Sequence, residues 1–235
     1  IEESVEIIGS GSQFGTQKNS QDSNEVFAKI AVKHESPKGV GIFLKDATGL
    51  GLSSPPGLSG FAGARPKPSP ILSLFSFLYK KENIRFTLQY DNFPSEPIVI
   101  NNLVNLPSPN APEISLKPNF SNLDEEGLLR EVSLEDIAWG RSGDKGNKAN
   151  VGIIARHPNF LPYIWKTFSE NKIADIFSHF LENDKVDRHF LPGISGINFV
   201  LHEVLGGGGT SSLRNDPQGK GLSLIHISEP TRHER

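Results

Sequence analysis

The residues best equipped for chemistry cluster in one stretch, Trp139-Gly140-Arg141-Ser142-Gly143-Asp144-Lys145-Gly146-Asn147-Lys148-Ala149-Asn150-Val151-Gly152. Three glycines fall within seven positions and are interleaved with Arg141, Asp144, Lys145 and Asn147. Glycine reaches positive φ and lets backbone approach a ligand closely, so such a stretch can turn its amides toward an anion. Arg141 can grip a phosphate or carboxylate with two parallel hydrogen bonds, and Lys145 adds a point charge. Ser142, Gly143, Asn147 and Asn150 complete the candidate set on this side. The competing reading is a glycine-rich hairpin whose charges keep it solvated.

A second stretch runs from Leu205 to Lys220 and holds four successive glycines, Gly206-Gly207-Gly208-Gly209. Glycine loses more backbone entropy on ordering than any other residue, so such a run is expected where backbone passes close to something. Gly207, Gly208 and Gly209, the hydroxyls of Thr210 and Ser211, and the guanidinium of Arg214 form the second half of the candidate anion site. A helix opening after Asp216-Pro217, with Asp216 as N-cap, would aim its amide end at the same region. A flexible connector is the alternative.

For proton transfer the candidates are Asp144 as base and His202 as acid, with Glu203 beside it. The plainer roles are a salt-bridged loop carboxylate for Asp144 and a packed strand histidine for His202. His157, in Arg156-His157-Pro158, reads as a helix starter, and His34, His179 and His189 have no partner at metal-ligand spacing. No H-E-x-x-H, G-x-S-x-G or G-x-G-x-x-G element occurs, so zinc hydrolase, α/β-hydrolase and dinucleotide folds find no support, and no metal or cofactor is assigned.

Composition sets the outer limits. A chain of 235 residues holds one large or two modest domains. The net charge of -3 is too small to imply nucleic-acid or membrane-surface binding. With Cys 0 there is no disulfide or thiolate chemistry, which fits a reducing, cytoplasmic setting. The greasy run from Ile71 to Tyr79 falls far short of the ~20 residues that span a bilayer. Because the chain starts at Ile1 with Met 0, it reads as a fragment. The segment from Leu222 to Arg232 looks like a translated sequencing adapter, so residues 222–235 are set aside as a non-native tail.

The elements that must position these residues follow from periodicity. The first two dozen residues are polar and read as irregular, and Val26 to Val32 alternates as a strand. A short helix is expected around Gly41 to Lys45 and a buried one over Ile71 to Leu78. Phe86, Leu88 and Tyr90 predict a strand with a partner over Pro97 to Ile100. Four prolines in 106–122 mark a linker and set the domains at 1–105, 106–128 (linker) and 129–221. In the last of these, strands are expected over Glu131–Trp139 and Ala149–Ala155. Two helices follow, one through Phe160, Ile164 and Phe168 and one through Ile173, Ile176 and Phe180, with the break at Glu170-Asn171. An edge strand at Val186–Phe190 and a last strand at Ile197–Leu201 complete an α+β module.

The Trp139–Gly152 stretch, the Leu205–Lys220 segment with its His202-Glu203 lead-in, and the turn Pro55-Pro56-Gly57…Gly60…Gly63-Ala64-Arg65-Pro66 occur in a telling order. Together they resemble the acyclic terpene utilisation family over most of residues 25–220. The resemblance implies an α+β, ferredoxin-like C-terminal domain behind the remnant of a larger α/β N-terminal domain, most of which is missing here. The element order fits that fold only as a permutation, with the first strand in the place of the last. Ala64 departs from the pattern, standing where a second glycine is expected, and the helix expected after Lys220 is replaced by the tail.

The resemblance implies catabolism of acyclic terpene or branched carboxylic substrates beside acyl-CoA chemistry, without an assigned reaction or cofactor. Candidate partners are an acyl-CoA or other anionic small molecule, the missing N-terminal domain, and a second copy of the chain. Two functions remain open, an enzyme or enzyme subunit and a non-catalytic assembly module whose glycine-rich loops pack against a neighbour. They separate on whether Arg141, Asp144, Lys145 and Arg214 converge on an open cleft or are engaged internally.

Overall fold

Hydrophobic alternation builds the central sheet. In the computed structural model, which describes residues 1–15, 25–54, 56–60, 63, 65–80, 83–98, 118, 120 and 132–222, Ala149, Val151, Ile153 and Ala155 are buried on one side of their strand. Ile197, Phe199 and Leu201 do the same two strands' worth of chain later. The sheet contains β5 (Ala138–Lys145), β6 (Lys148–Ala155), β7 (Val186–Leu191) and β8 (Gly196–Leu201), in the order β5-β6-β8-β7. All neighbours are antiparallel, so β6 and β7 run parallel with β8 between them, a split β-α-β unit. The arrangement is ferredoxin-like with the expected permutation: β5, the first of these four strands in the chain, takes the edge beside β6.

The crossover carries α3 (Leu161–Thr167) and α4 (Glu170–Ile176). Leu161, Ile164 and Phe168 from the first, and Ile173, Ile176, Phe177 and Phe180 from the second, are all buried with the sheet residues in one core. Phe177 and Phe199 are fully buried, each contributing about 1.5–3 kcal/mol from apolar area removed from water. The helix break falls at Phe168-Ser169, two residues before the expected Glu170-Asn171. The Ser169 hydroxyl accepts the Lys172 amide as N-cap, and Glu170 sits in the first turn where the helix dipole favours an acid. Arg188 on β7 fastens the end of α3: its Nη1 donates to the Trp165 and Phe168 carbonyls at 2.9 and 3.0 Å. Its guanidinium also lies 3.8 Å over the Trp165 ring.

Four local expectations need correction. Leu134–Ile137 is a short helix, α2, not the start of a strand. Residues Glu2–Ile8 form β1, paired antiparallel with β2 (Phe27–Lys33). The polar appearance of β1 hides one buried carboxylate, Glu6, which accepts from Gln13 Nε2 at 2.8 Å and from the Asn215 amide at 2.7 Å. The helix near Gly41 is longer than expected, α1 at Pro37–Ser53, capped by Ser36. Ile71–Leu78 forms neither helix nor strand and is exposed, with Leu78 102% exposed. The spacing of Ile71, Leu74, Phe75 and Leu78 would suit one helical face, but none of them joins the core among the described residues, and a helix this short has little stability without burial.

The chain divides into two compact units, Leu74–Lys117 and the remainder. Within the smaller unit β3 (Phe86–Leu88) pairs antiparallel with β4 (Glu96–Ile98); Val99 and Ile100 of the expected strand lie outside the described residues. So do the 106–128 linker apart from Pro118 and Phe120, Pro55 and Ala64 of the Pro55–Pro66 turn, and the tail beyond Leu222. Leu222 itself is a core residue, 4% exposed.

Candidate functional site

The glycine-rich stretch is two strands and a turn. Lys145 pairs with Lys148, so Gly146 and Asn147 alone form the hairpin connection. Gly146 has φ +67 at the first turn position, the requirement of a type II′ turn. Register then sets rows across the sheet. Arg141 stands opposite Gly152, and Gly152 opposite Asn198. Trp139 stands opposite Ile154, Ile154 opposite Gly196, and Gly196 opposite Leu191.

These rows line a cavity of about 390 Å³ on the sheet face away from the helices. Its basic end holds Arg141, Lys145 and Lys220; its apolar end holds Trp139, Ile154, Leu191 and Ile194. Ser142, Gly143, Asn150 and Gly152 also contribute to the lining. Arg141 is exposed, and among the described residues it has no hydrogen bond or ion pair. Lys145 Nζ donates to the Asp144 carbonyl at 2.8 Å. Asn150 Nδ2 donates to Asn198 Oδ1 at 3.2 Å. Ser142 is buried and its hydroxyl donates to the Lys220 carbonyl at 3.0 Å, which holds the Lys220 turn against β5.

The two glycine-rich segments do meet, but against each other. The Val204 amide donates to the Asn147 carbonyl at 3.1 Å, and the Gly207 amide to Asn147 Oδ1 at 2.8 Å. Gly208, at φ +76, lies so close to Gly146 that a Cβ would overlap the Gly146 carbonyl. Asn147 therefore binds the quartet, and Gly207, Gly208 and Gly209 do not reach the cavity lining. Thr210 donates to the Leu72 carbonyl, and the buried Ser211 hydroxyl to the Gly207 carbonyl at 2.8 Å. Arg214 is engaged deeper still: it donates to the Val204 carbonyl, to the Phe180 carbonyl at 2.9 Å, and lies 4.6 Å over the Phe180 ring. Burial lowers its pKa, opposed by the charges of Glu6, Glu182 and Asp216.

Two family models match this chain. The model described as acyclic terpene utilisation family protein AtuA covers residues 2–90. The AtuA ferredoxin-like domain covers residues 132–230, the whole four-stranded sheet with its helices. The chain belongs to the AtuA family. No curated protein and no solved structure matches it.

In this AtuA chain the acid–base candidates are not brought together. Asp144 faces Lys220 Nζ at 3.8 Å. Register places Asp144 opposite Ala149 and Ala149 opposite Leu201, so His202 follows two strands away and on the opposite face. The partner of His202 is Asp187 on β7, with Nε2 and Oδ2 2.7 Å apart. The His202 hydrogen bond holds the Asp187 carboxyl below its usual pKa. The helix expected after Pro217 is instead a series of turns in which Asp216 caps the Lys220 and Gly221 amides at 3.0 and 2.7 Å. Asp216 thus keeps its capping chemistry without a helix behind it.

Several lining residues escaped the sequence reading. Gly152 and Ile154 were within reach, since alternation from Asn150 puts all three on one face. Leu191, Ile194 and Lys220 carry no local signal and arrive only through the crossover and the terminal turns. Among the described residues there is no cluster of metal-ligating side chains, and no helix is long and apolar enough to cross a membrane.

Proposed function

We propose that this AtuA chain binds a small anionic ligand on the open face of its ferredoxin-like sheet, as an enzyme or enzyme subunit. The ligand belongs to the carboxylate, phosphate or CoA-ester class met in catabolism of acyclic terpene or branched acyl substrates. One observation carries the reading: an exposed Arg141 guanidinium without a partner among the described residues, at the wall of a 390 Å³ cavity beside Lys145 and Lys220. Cavities of that size hold small ligands, and an uncommitted guanidinium offers a fork of donors matched to a carboxylate or phosphate.

The assembly reading keeps a more limited place. Gly208 against Gly146 and Asn147 under Gly207 give the quartet an internal, architectural task, holding the hairpin turn that carries β5. With Asp144 on Lys220 and His202 on Asp187, each acid–base candidate has its own ion partner, and the proposal concerns binding.

Titration calorimetry of the chain with inorganic phosphate, pyrophosphate and an acyl-CoA tests it. Arg141→Ala should weaken the tightest of these by about 1–2 kcal/mol, roughly five- to thirtyfold. Absence of binding by all three, or an unchanged affinity in Arg141→Ala, overturns the reading.

A further inference from the structure

Trp139 is a large aromatic residue left 52% exposed, yet it forms a wall of the cavity. The Arg156 guanidinium lies 4.8 Å from its ring centroid, and Arg156 Nε is anchored to the Glu135 carbonyl at 3.1 Å. Arg156 does not line the cavity, so the cation covers one side of the indole and leaves another side facing the hollow. A cation held on one face draws π density toward itself. The free side is thereby suited to stack on an electron-rich planar ring and unsuited to a cationic ligand.

Trp139 and Arg141 are two residues apart on β5, on the same face. Their Cα atoms are therefore about 7 Å apart along the strand, close to the separation of base and phosphate in a mononucleotide. Beside Arg141, on the neighbouring strand, the floor is Gly152, where a Cβ would find only ordinary contacts, 3.7 Å from the Arg141 carbonyl and 4.0 Å from Asn198 Oδ1. Asn150 uses one amide hydrogen on Asn198, leaving its own carbonyl oxygen to accept a hydroxyl or amine. Leu191 and Ile194 supply an apolar wall for the second face of a ring.

We infer that the cavity takes a nucleoside phosphate, with the base stacked on Trp139 and the phosphate held by Arg141 and Lys220. An aliphatic tail fits the same walls less well, because it gains no stacking on the exposed Trp139 ring. A planar base gains from stacking on a single aromatic face. This inference rests on the anion-binding reading of the same cavity, and the experiment separates the two.

Calorimetry on the unaltered chain compares adenosine 5′-monophosphate, inorganic phosphate and octanoate. The nucleotide should bind at least about tenfold more tightly than phosphate. Trp139→Leu should abolish that difference while leaving phosphate affinity in place. Phosphate binding with no preference for the nucleotide overturns the inference and leaves the anion site standing. No binding by either overturns both. Tighter binding of octanoate than of the nucleotide assigns the apolar wall to an aliphatic ligand and overturns the inference.

Discussion

Arg141 and Arg214 look alike in the sequence, each a guanidinium within a glycine-rich segment, and the fold gives them opposite tasks. Arg141 ends in a cavity with its donors open. Arg214 ends in the protein, donating to the carbonyls of Val204 and Phe180 and covering an aromatic ring. The difference comes from what each residue follows. Arg141 alternates outward on a strand, on the face the helices leave bare. Arg214 follows a segment tied down by Asn147 from one side and by Glu6 from the other, since Glu6 accepts the Asn215 amide and Lys29 donates to the Leu213 carbonyl at 2.9 Å. A cation's function is decided by where its donors are used, and a motif's composition does not carry that information.

The contrast breaks most visibly in stability. Arg214→Ala leaves two carbonyls without their donor in a buried setting and should cost about 3 kcal/mol in denaturant unfolding. Arg141→Ala should fall within about 0.5 kcal/mol of the parent in the same measurement. Equal effects from the two substitutions would erase the distinction drawn between them. Gly208→Ala comes next: its φ of +76 and the overlap with the Gly146 carbonyl predict a loss of about 2 kcal/mol. Gly146 and Gly208 sit at one contact, so a double substitution should cost less than the sum of the singles.

The smallest effect is a pH dependence confined to the Arg214 side. His179 lies against Gln13, its Nε2 3.3 Å from the Gln13 carbonyl. Burial, first, and the nearby Arg214 charge lower its pKa, against hydrogen bonds to the Gln13 and Ile176 backbone that raise it. The unfolded chain then takes up a proton at higher pH than the folded one. Stability from this group is complete above about pH 6.5 and declines as the pH falls below that value toward the folded pKa. Thermal melts between pH 8 and pH 5 should show the decline, and His179→Gln should flatten it. Phosphate affinity at Arg141 should not follow His179→Gln, which keeps the two regions separate.

Legibility in the sequence tracked the strength of the local pattern. Ile197, Phe199 and Leu201, or Ile173, Ile176 and Phe177, announce their element because one face is apolar and the spacing admits a single period. Those residues sufficed for the order strand, strand, helix, helix, strand, strand, while the permuted ferredoxin-like form was implied by the family resemblance. β1 was missed because among Glu2, Glu3, Ser4 and Glu6 the buried residue is a carboxylate, paired through contacts more than two hundred positions away. The strands on either side of the hairpin turn are hard to read because their glycines and charges look like turn chemistry, whereas only Gly146 and Asn147 turn. At the site, Arg141 and Asn150 were legible from type and spacing. Trp139 was visible without a role, and Lys220, Leu191 and Ile194 depended on tertiary closure.

The permuted order has a bearing on how the molecule assembles in time. β5 joins β6 across a two-residue connection, so the row Arg141–Gly152 is made from neighbours in the chain and can form on the timescale of an isolated hairpin, roughly microseconds. The opposite wall, Leu191 and Ile194, waits for the long crossover through both helices, a closure of low probability until the core begins to collapse. The glycine quartet can settle on the hairpin tip only after β8 has docked. The floor of the cavity is thus built early from local contacts, and its far side and its clasp are late events in folding.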